Sequence, residues 1–347
     1  MKLSTVLIKW YLTNKRDLPW RNTKDPYVIW ISEIILQQTR VLQGMDYFYR
    51  FIQAFPNVQA LAAADQEQVL KLWQGLGYYS RARNLHHASR QIMEKWEGTF
   101  PSTHKDILVL KGIGDYTSAA IASFAFNQVF PVLDGNVFRF IARYFGVDTP
   151  INSNEAKKIF YGILHELIDK KDPAIFNQAI MEFGAMQCKP YSPDCSICPF
   201  SQSCFAFKNN AIASFPVKLK ANAPKIRHFN YLLIEQDSSV YLKQRTENDI
   251  WKNLYDFPLI ETTSPLDLKD LLIHSEWKNL FHKLKIKPKQ SPILIEHKLT
   301  HRLIKAAFWK LKYNGKTDLP FIKVHIDEIH RYPVSRLLEK FLEKNFL

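Results

Sequence analysis

Cysteine is scarce in this 347-residue chain: four in all, Cys188, Cys195, Cys198 and Cys204, with none outside that short stretch. A disulfide-stapled scaffold is therefore excluded as the source of stability. Long apolar runs are missing too. No stretch approaches the ~20 apolar residues that a membrane span requires. Lys2 and Lys9 interrupt the first ten residues, which do not read as an export signal. The expected setting is a reducing cytoplasm, away from membranes. Acidic residues are in deficit: 33 Asp and Glu stand against 47 Lys and Arg, a net charge of +14. That imbalance favours a polyanionic partner, nucleic acid first. Glycine thins out along the chain. Ten of the eleven lie at or before Gly184, and only Gly315 follows.

What is present divides the chain at the same place. Hydrophobic residues make up 46%, enough for two cores. Residues 1–215 carry apolar side chains at three- and four-residue spacing, which predicts helices over 27–42, 66–72, 80–96, 117–127, 137–144, 155–168 and 173–183. Residues 216–226, with Pro216, Lys218, Lys220 and Pro224, read as a linker. Residues 227–347 read as a smaller α+β domain. Its predicted strands cover 229–235, 239–242, 292–296 and 306–311, and a helix closes it at 336–346.

The four thiols follow the pattern C-x6-C-x2-C-x5-C within residues 188–204. Zinc sites usually pair their ligands as two C-x2-C knuckles, and only one such pair occurs here. Thiolate-only ligation by one compact loop suits an iron–sulfur cluster.

Three further patterns carry chemistry. In Leu110-Lys111-Gly112-Ile113-Gly114-Asp115-Tyr116-Thr117, two glycines bracket one apolar residue and a helix follows. Such a turn leaves N–H groups free for a phosphate. With the helix before it, the segment from about 104 to 127 forms a helix-hairpin-helix; a plain interhelical turn is the alternative. Glu33 has Ile29, Trp30, Leu36 and Gln37 as its helical neighbours. A carboxyl in an apolar pocket has a raised pKa and donates protons near neutral pH; a half-exposed helical glutamate is the alternative. Asp134, in Val132-Leu133-Asp134-Gly135-Asn136-Val137, reads both as a helix N-cap and as a fixed carboxylate beside developing positive charge.

Together, the Gly-x-Gly hairpin, Asp134 and the cysteine loop resemble the helix-hairpin-helix DNA glycosylases of the endonuclease III superfamily. Leu18-Pro19-Trp20-Arg21, Ser32-Glu33-Ile34-Ile35-Leu36-Gln37-Gln38-Thr39 and Gly75-Leu76-Gly77-Tyr78-Tyr79 are similar to its adenine DNA glycosylases. Val240–Arg245 and Trp251–Pro258 resemble the Nudix-like domain with which that family senses 8-oxoguanine. The resemblance implies a DNA repair enzyme with one [4Fe–4S] cluster on Cys188, Cys195, Cys198 and Cys204. It implies a monomer that removes adenine mispaired with 8-oxoguanine or guanine in double-stranded DNA, in the bacterial cytoplasm and nucleoid. It assigns Glu33 as the acid and Asp134 as the carboxylate that stabilises the sugar cation or captures it. Tyr116 and Asn136 are then supporting residues. Arg21, Leu36 and Gln178 line the adenine pocket, and Gln38 and Tyr78 fill the opened duplex. Gly112 and Gly114 hold the DNA backbone, and Thr300 and His301 read the lesion.

Two departures follow from the same comparison. Tyr116 stands where glycosylases that also cut the backbone carry a lysine, and without that amine no Schiff base forms by the usual route. The related glycosylase/lyase reading on oxidised pyrimidines is disfavoured accordingly. Leu299-Thr300-His301 replaces the family's Phe-Ser-His, keeping a hydroxyl and losing a ring. No acid-rich Nudix box follows Pro258, so no pyrophosphohydrolase is expected. A non-catalytic iron–sulfur DNA-binding protein is the alternative from another class. The pair Glu33 and Asp134 argues against it, since binding alone needs neither.

Overall fold

Short polar side chains and prolines set where the helices begin. Asp25, Thr103, Asp134 and Ser153 each accept a backbone N–H in the first turn that follows. Pro26 and Pro173 open helices at positions whose N–H would have had no partner. A computed structural model describes residues 2–220, 223–281, 284, 286, 288, 290–315 and 319–346. Residues 221–222 of the expected linker lie outside the described residues.

The helices are α1 (Leu3–Asn14), α2 (Pro26–Leu36), α3 (Val41–Ala54), α4 (Val58–Ala63), α5 (Gln66–Leu72), α6 (Ser80–Trp96), α7 (His104–Leu108), α8 (Asp115–Phe126), α9 (Gly135–Phe145), α10 (Asn154–Leu167), α11 (Pro173–Met186) and α12 (Phe205–Lys208). Helices α13 (Leu268–Ile273), α14 (Ser275–Phe281) and α15 (Arg336–Asn345) follow. The apolar periodicity over 27–42 runs across a break. Helix α2 stops at Leu36, Gln38 takes a positive φ of 55°, and α3 starts at Val41.

Two compact units result. The first comprises residues 1–63 and 84–220, and the second residues 64–83 and 221–347. In the first, Leu7 and Tyr11 of α1 pack with Phe140, Phe160, Phe176 and Phe183 of α9, α10 and α11. Each buried Phe ring is worth about 2–3 kcal/mol in apolar transfer, so this cluster fixes the elements that carry the site. None of the described helices is long and apolar enough to cross a membrane.

The second unit is a sheet with helices on both faces. Its strands are β1 (Lys225–Gln236), β2 (Ser239–Gln244), β3 (Tyr255–Asp256), β4 (Leu259–Thr262), β5 (Ile293–Lys298), β6 (Arg302–Lys312) and β7 (Ile322–His325). The order is β3-β2-β1-β6-β5, with β4 on β1 and β7 on β2. Strands β1 and β6 run parallel from Lys225 opposite Arg302 to Glu235 opposite Lys312. Adjacent residues of β6 serve opposite faces, as the pleat dictates. Phe308 stacks on Phe341 of α15 at 3.9 Å, while Trp309 joins Leu232, Trp277 and Phe281 on the other side. Strands β5 and β6 form a hairpin whose tip is residues 299–301, closed by Leu299 N–H donating to Arg302 O at 2.8 Å.

Candidate active site

Helices α2, α8, α9 and α11 bring six of the expected residues to one cavity, Asp134 as the cap of α9. Its lining includes Glu33, Leu36, Tyr116, Asp134, Asn136 and Gln178, with Arg21 from the turn before α2, and its volume is about 190 Å³. Glu33 is only 8% exposed. Burial pushes its carboxyl up to about 7, against the pull of the Tyr116 hydroxyl and of Arg21 and with help from the charge of Asp134. Tyr116 O–H donates to Glu33 Oε2 at 2.8 Å. Burial raises the phenol of Tyr116 too, so it remains a donor.

Asp134 caps α9. Its Oδ1 accepts from the N–H groups of Asn136 at 2.9 Å and Val137 at 2.7 Å, and Oδ2 accepts from Asn136 Nδ2 at 2.8 Å. Burial raises its pKa, and these donors oppose that rise. Three donors and a helix N-terminus hold a carboxylate in one orientation. The N-cap reading of Asp134 is met, and the cap holds its carboxyl in place on the cavity wall.

The cavity has a third carboxyl, which the sequence reading missed. Glu182 is 1% exposed. Arg16 meets it with two side-chain bonds, Nε at 2.8 Å and Nη2 at 2.6 Å, and Arg21 Nη2 adds a third at 2.7 Å. Burial would raise Glu182, but the two guanidiniums overcome it and hold the group at about 2. One wall of the cavity therefore holds a fixed anion and another a neutral-leaning acid. A signal for Glu182 was available. It lies four residues after Gln178, one helical turn along the same face. Gln178 itself accepts from the Tyr11 hydroxyl at 2.5 Å.

Gln38, Gly112 and Gly114 do not line this cavity. Gly112 has φ +81°, and a Cβ there would approach the side chain of Asn84 to 2.6 Å, so glycine is required on two counts. Ile113 is buried, and Gly114 is the N-cap of α8. Backbone conformation and anchor match the expected hairpin.

The four cysteines follow α11, each partly buried, and line one small cavity with Phe140, Phe183 and Phe200. Among the described residues, no three His, Cys, Asp or Glu side chains converge as the ligands of a single metal ion would. Arg143, 2% exposed, approaches Cys188 Sγ to 3.6 Å and donates to the carbonyls of Lys189 at 2.6 Å and Pro190 at 3.1 Å. Arg139 Nε donates to Cys188 O at 2.8 Å, and its Nη2 donates to Asn136 Oδ1 at 3.0 Å. The cysteine loop is thereby tied to the residue that caps with Asp134.

Tyr78, Thr300 and His301 meet in the second unit. They line a cleft with Arg83, Asp249, Trp251, Lys298 and Arg302. The hydroxyls of Tyr78 and Thr300 share a hydrogen bond. Tyr78 is 44% exposed and has φ +47°, an unusual conformation for a bulky residue.

Comparison with known proteins agrees with this geometry. Residues 31–165 match the model of the HhH-GPD superfamily of base excision DNA repair proteins, and residues 230–344 match that of the NUDIX domain. The adenine DNA glycosylase of Buchnera aphidicola subsp. Acyrthosiphon pisum (strain APS) is 38% identical over 258 residues, covering 74% of this chain and 73% of the relative. The adenine DNA glycosylase of Mus musculus is 34% identical over 304 residues, covering 73% of this chain and 59% of its own. Among solved structures, a thermostable thymine-DNA glycosylase superposes with a TM-score of 0.56 at 30% identity, over 59% of this chain and 95% of that one. With its helical hairpin domain, its NUDIX-like sheet and relatives matched over most of their length, the chain belongs to the adenine DNA glycosylases, enzymes of base excision repair.

Proposed function

We propose that this enzyme removes adenine opposite 8-oxoguanine or guanine in duplex DNA, with Glu33 as general acid and Asp134 as the carboxylate facing the sugar. The observation that carries the reading is the pair itself. Glu33, pushed up to about 7, and the thrice-bonded Asp134 line one cavity, with Tyr116 donating to Glu33. Cleaving an N-glycosidic bond requires a proton on the departing base and a stabilised sugar cation. With its pKa raised to about 7, Glu33 keeps a substantial protonated fraction at neutral pH and can deliver that proton to a ring nitrogen of adenine. Asp134, held by Asn136 and Val137, presents charge where the cation develops. Glu182, kept anionic by Arg16 and Arg21, offers an acceptor to the exocyclic amine of the base. The base must leave the stack to reach this cavity. Gln38 and Tyr78, both at positive φ, are suited to filling the gap.

The reaction stops at base release. Tyr116 is a phenol bonded to Glu33, and no lysine is among the described residues lining the cavity. Cys188, Cys195, Cys198 and Cys204 would hold one [4Fe–4S] cluster. Thiols that ring a cavity without converging on one point suit a cluster, whose irons each take their own ligand. When bound there, a cluster would supply structural order to the loop that carries Lys189 and Lys208. Anaerobically purified protein should contain about four irons per chain, and stoichiometric zinc without iron would reverse the assignment.

The deciding experiment is single-turnover release of adenine from duplexes containing A:8-oxoguanine and A:G, with borohydride present in a parallel reaction. Adenine release with little trapped DNA supports the reading. No release from either duplex rejects it, and abundant trapping would move the assignment to a glycosylase/lyase.

A further inference from the structure

The turn that presents Tyr78 is organised around one cation. Gly75 and Gly77 have φ of +94° and +73°, and Tyr78 follows at +47°. Three left-handed residues so close together reverse the chain sharply and leave the Tyr78 side chain with little backbone to lean on. Its ring is 44% exposed. An exposed aromatic ring on a sharp turn rotates freely about χ1 unless something holds it.

Arg81 holds it. Its guanidinium lies over the Tyr78 ring at 5.8 Å and over the fully buried Trp73 ring at 5.1 Å. Arg81 Nη2 donates to Gly77 O at 3.3 Å, and Trp73 Nε1 donates to the same carbonyl at 3.1 Å. The cation therefore fastens the turn and the ring together. Burial lowers Arg81 to about 10, so it stays protonated at neutral pH and keeps its attraction for both ring faces. Trp73, Gly77, Tyr78, Arg81 and Thr300 all belong to the second unit.

We propose that Arg81 is a positioning residue for lesion reading: lying over the Trp73 and Tyr78 rings, it fixes the orientation in which the Tyr78 hydroxyl meets Thr300. Arg81 itself reads nothing, and its contribution passes through Tyr78. The inference rests on the proposed roles of Thr300 as a reader of the oxidised base and of Tyr78 as the side chain that fills the opened duplex beside it, the two joined by their hydroxyl hydrogen bond. It predicts that loss of the Arg81 charge lowers the preference for A:8-oxoguanine over A:G, slowing excision from A:8-oxoguanine more than excision from A:G.

The test is a double-mutant cycle in the full-length protein, read as the ratio of single-turnover rates on the two duplexes. Arg81→Met should lower the ratio about tenfold, the size of one desolvated cation–π contact. Arg81→Lys, which keeps a cation and loses the planar face, should fall between. In a Tyr78→Ala background, Arg81→Met should change the ratio no further, since coupled residues are not additive. A purely structural role would add its full effect in that background and overturns the proposal, as does an unchanged ratio in Arg81→Met. Should Arg81→Met fail to fold, Arg81→Gln carries the same cycle, because it removes the charge and the guanidinium plane and leaves a polar group in place of an apolar one. A Tyr78→Ala ratio equal to wild type rejects the reading of Tyr78 and the inference with it. A reduced Tyr78→Ala ratio beside an unchanged Arg81 variant rejects the inference alone.

Discussion

Two buried carboxyls, one in each unit, are pushed up to about 7 by burial: Glu33 in the helical unit and Asp256 in the sheet unit. Their surroundings differ. Glu33 faces the cavity beside a second carboxylate, Asp134, and receives a hydroxyl from Tyr116. Asp256 Oδ2 accepts from Arg245 at 3.2 Å and from the Tyr231 hydroxyl at 3.5 Å, while its Oδ1 has no hydrogen-bond partner. Arg245 also approaches Asp249, which binds Arg227 and Arg302 in turn. A raised pKa therefore does not by itself mark a catalytic acid. What separates the two is the company: Glu33 lines an open cavity beside a second carboxyl, whereas Asp256 anchors an arginine network.

Substitution at both positions is the most direct way to break this comparison. Glu33→Gln should bind duplex DNA normally and lose about a thousandfold in single-turnover excision, within the range for a general acid. Asp256→Asn should keep its excision rate on A:G within threefold of wild type, to the order of accuracy such comparisons carry (about 0.5 kcal/mol). Equal losses would erase the distinction. Asp134→Asn keeps the shape of the cap and removes the charge; about a hundredfold loss is expected from electrostatic stabilisation of that kind. A normal rate in either cavity variant removes that residue from the mechanism.

The pH dependence sharpens the contrast. If Glu33 is the general acid proposed above, it acts protonated, and excision should fall about tenfold per pH unit above about 7. The stability consequence has a definite sign. A carboxyl raised in the folded state contributes stability that is present below its unfolded pKa and is lost as pH rises through the folded one. Glu33→Gln should therefore gain on wild type between pH 4.5 and 7, by about 1–3 kcal/mol in urea unfolding. A difference that does not vary with pH would show that Glu33 does not titrate in this window. The smallest effect belongs to the lesion cleft. Thr300→Ala combined with His301→Ala should lower the preference for A:8-oxoguanine over A:G by about tenfold, as loss of base-edge contacts worth about 1–3 kcal/mol would. An unchanged preference would move lesion reading out of the second unit.

Local patterns were legible in the sequence, and long-range pairings were not. Glu33 among Ile29, Trp30 and Leu36 announced its burial, because helical spacing alone sets those neighbours. Asp134 announced its cap in the same way. The hairpin at Gly112 and Gly114 needed only a turn and an anchor. The place of Glu182 on the Gln178 face was readable, but its fixed charge was not, because that depends on Arg16 and Arg21, more than 160 residues away. The break between α2 and α3 was masked by apolar periodicity that continues across Gln38. The parallel pairing of β1 with β6 could not be read either, since nothing local distinguishes a parallel partner from an antiparallel one.

The second unit is assembled from two stretches of chain, and this orders its synthesis. Residues 64–83 leave the ribosome first. Their partners come much later: Lys71 Nζ donates to Tyr332 O, Gln74 to Glu339, Tyr79 to Val334 O and Arg83 to Lys252 O. Helix α5 spans only seven residues, too short to persist alone in water even with the capping box that Asp65 supplies. At about 5–20 residues per second, the wait for these partners is on the order of ten seconds or more. Over that interval residues 1–63 and 84–220 can close around the catalytic cavity, while Trp73 and Tyr79 remain uncovered. Synthesis thus sets an order in which the first unit can be complete while the second still waits for its later stretch.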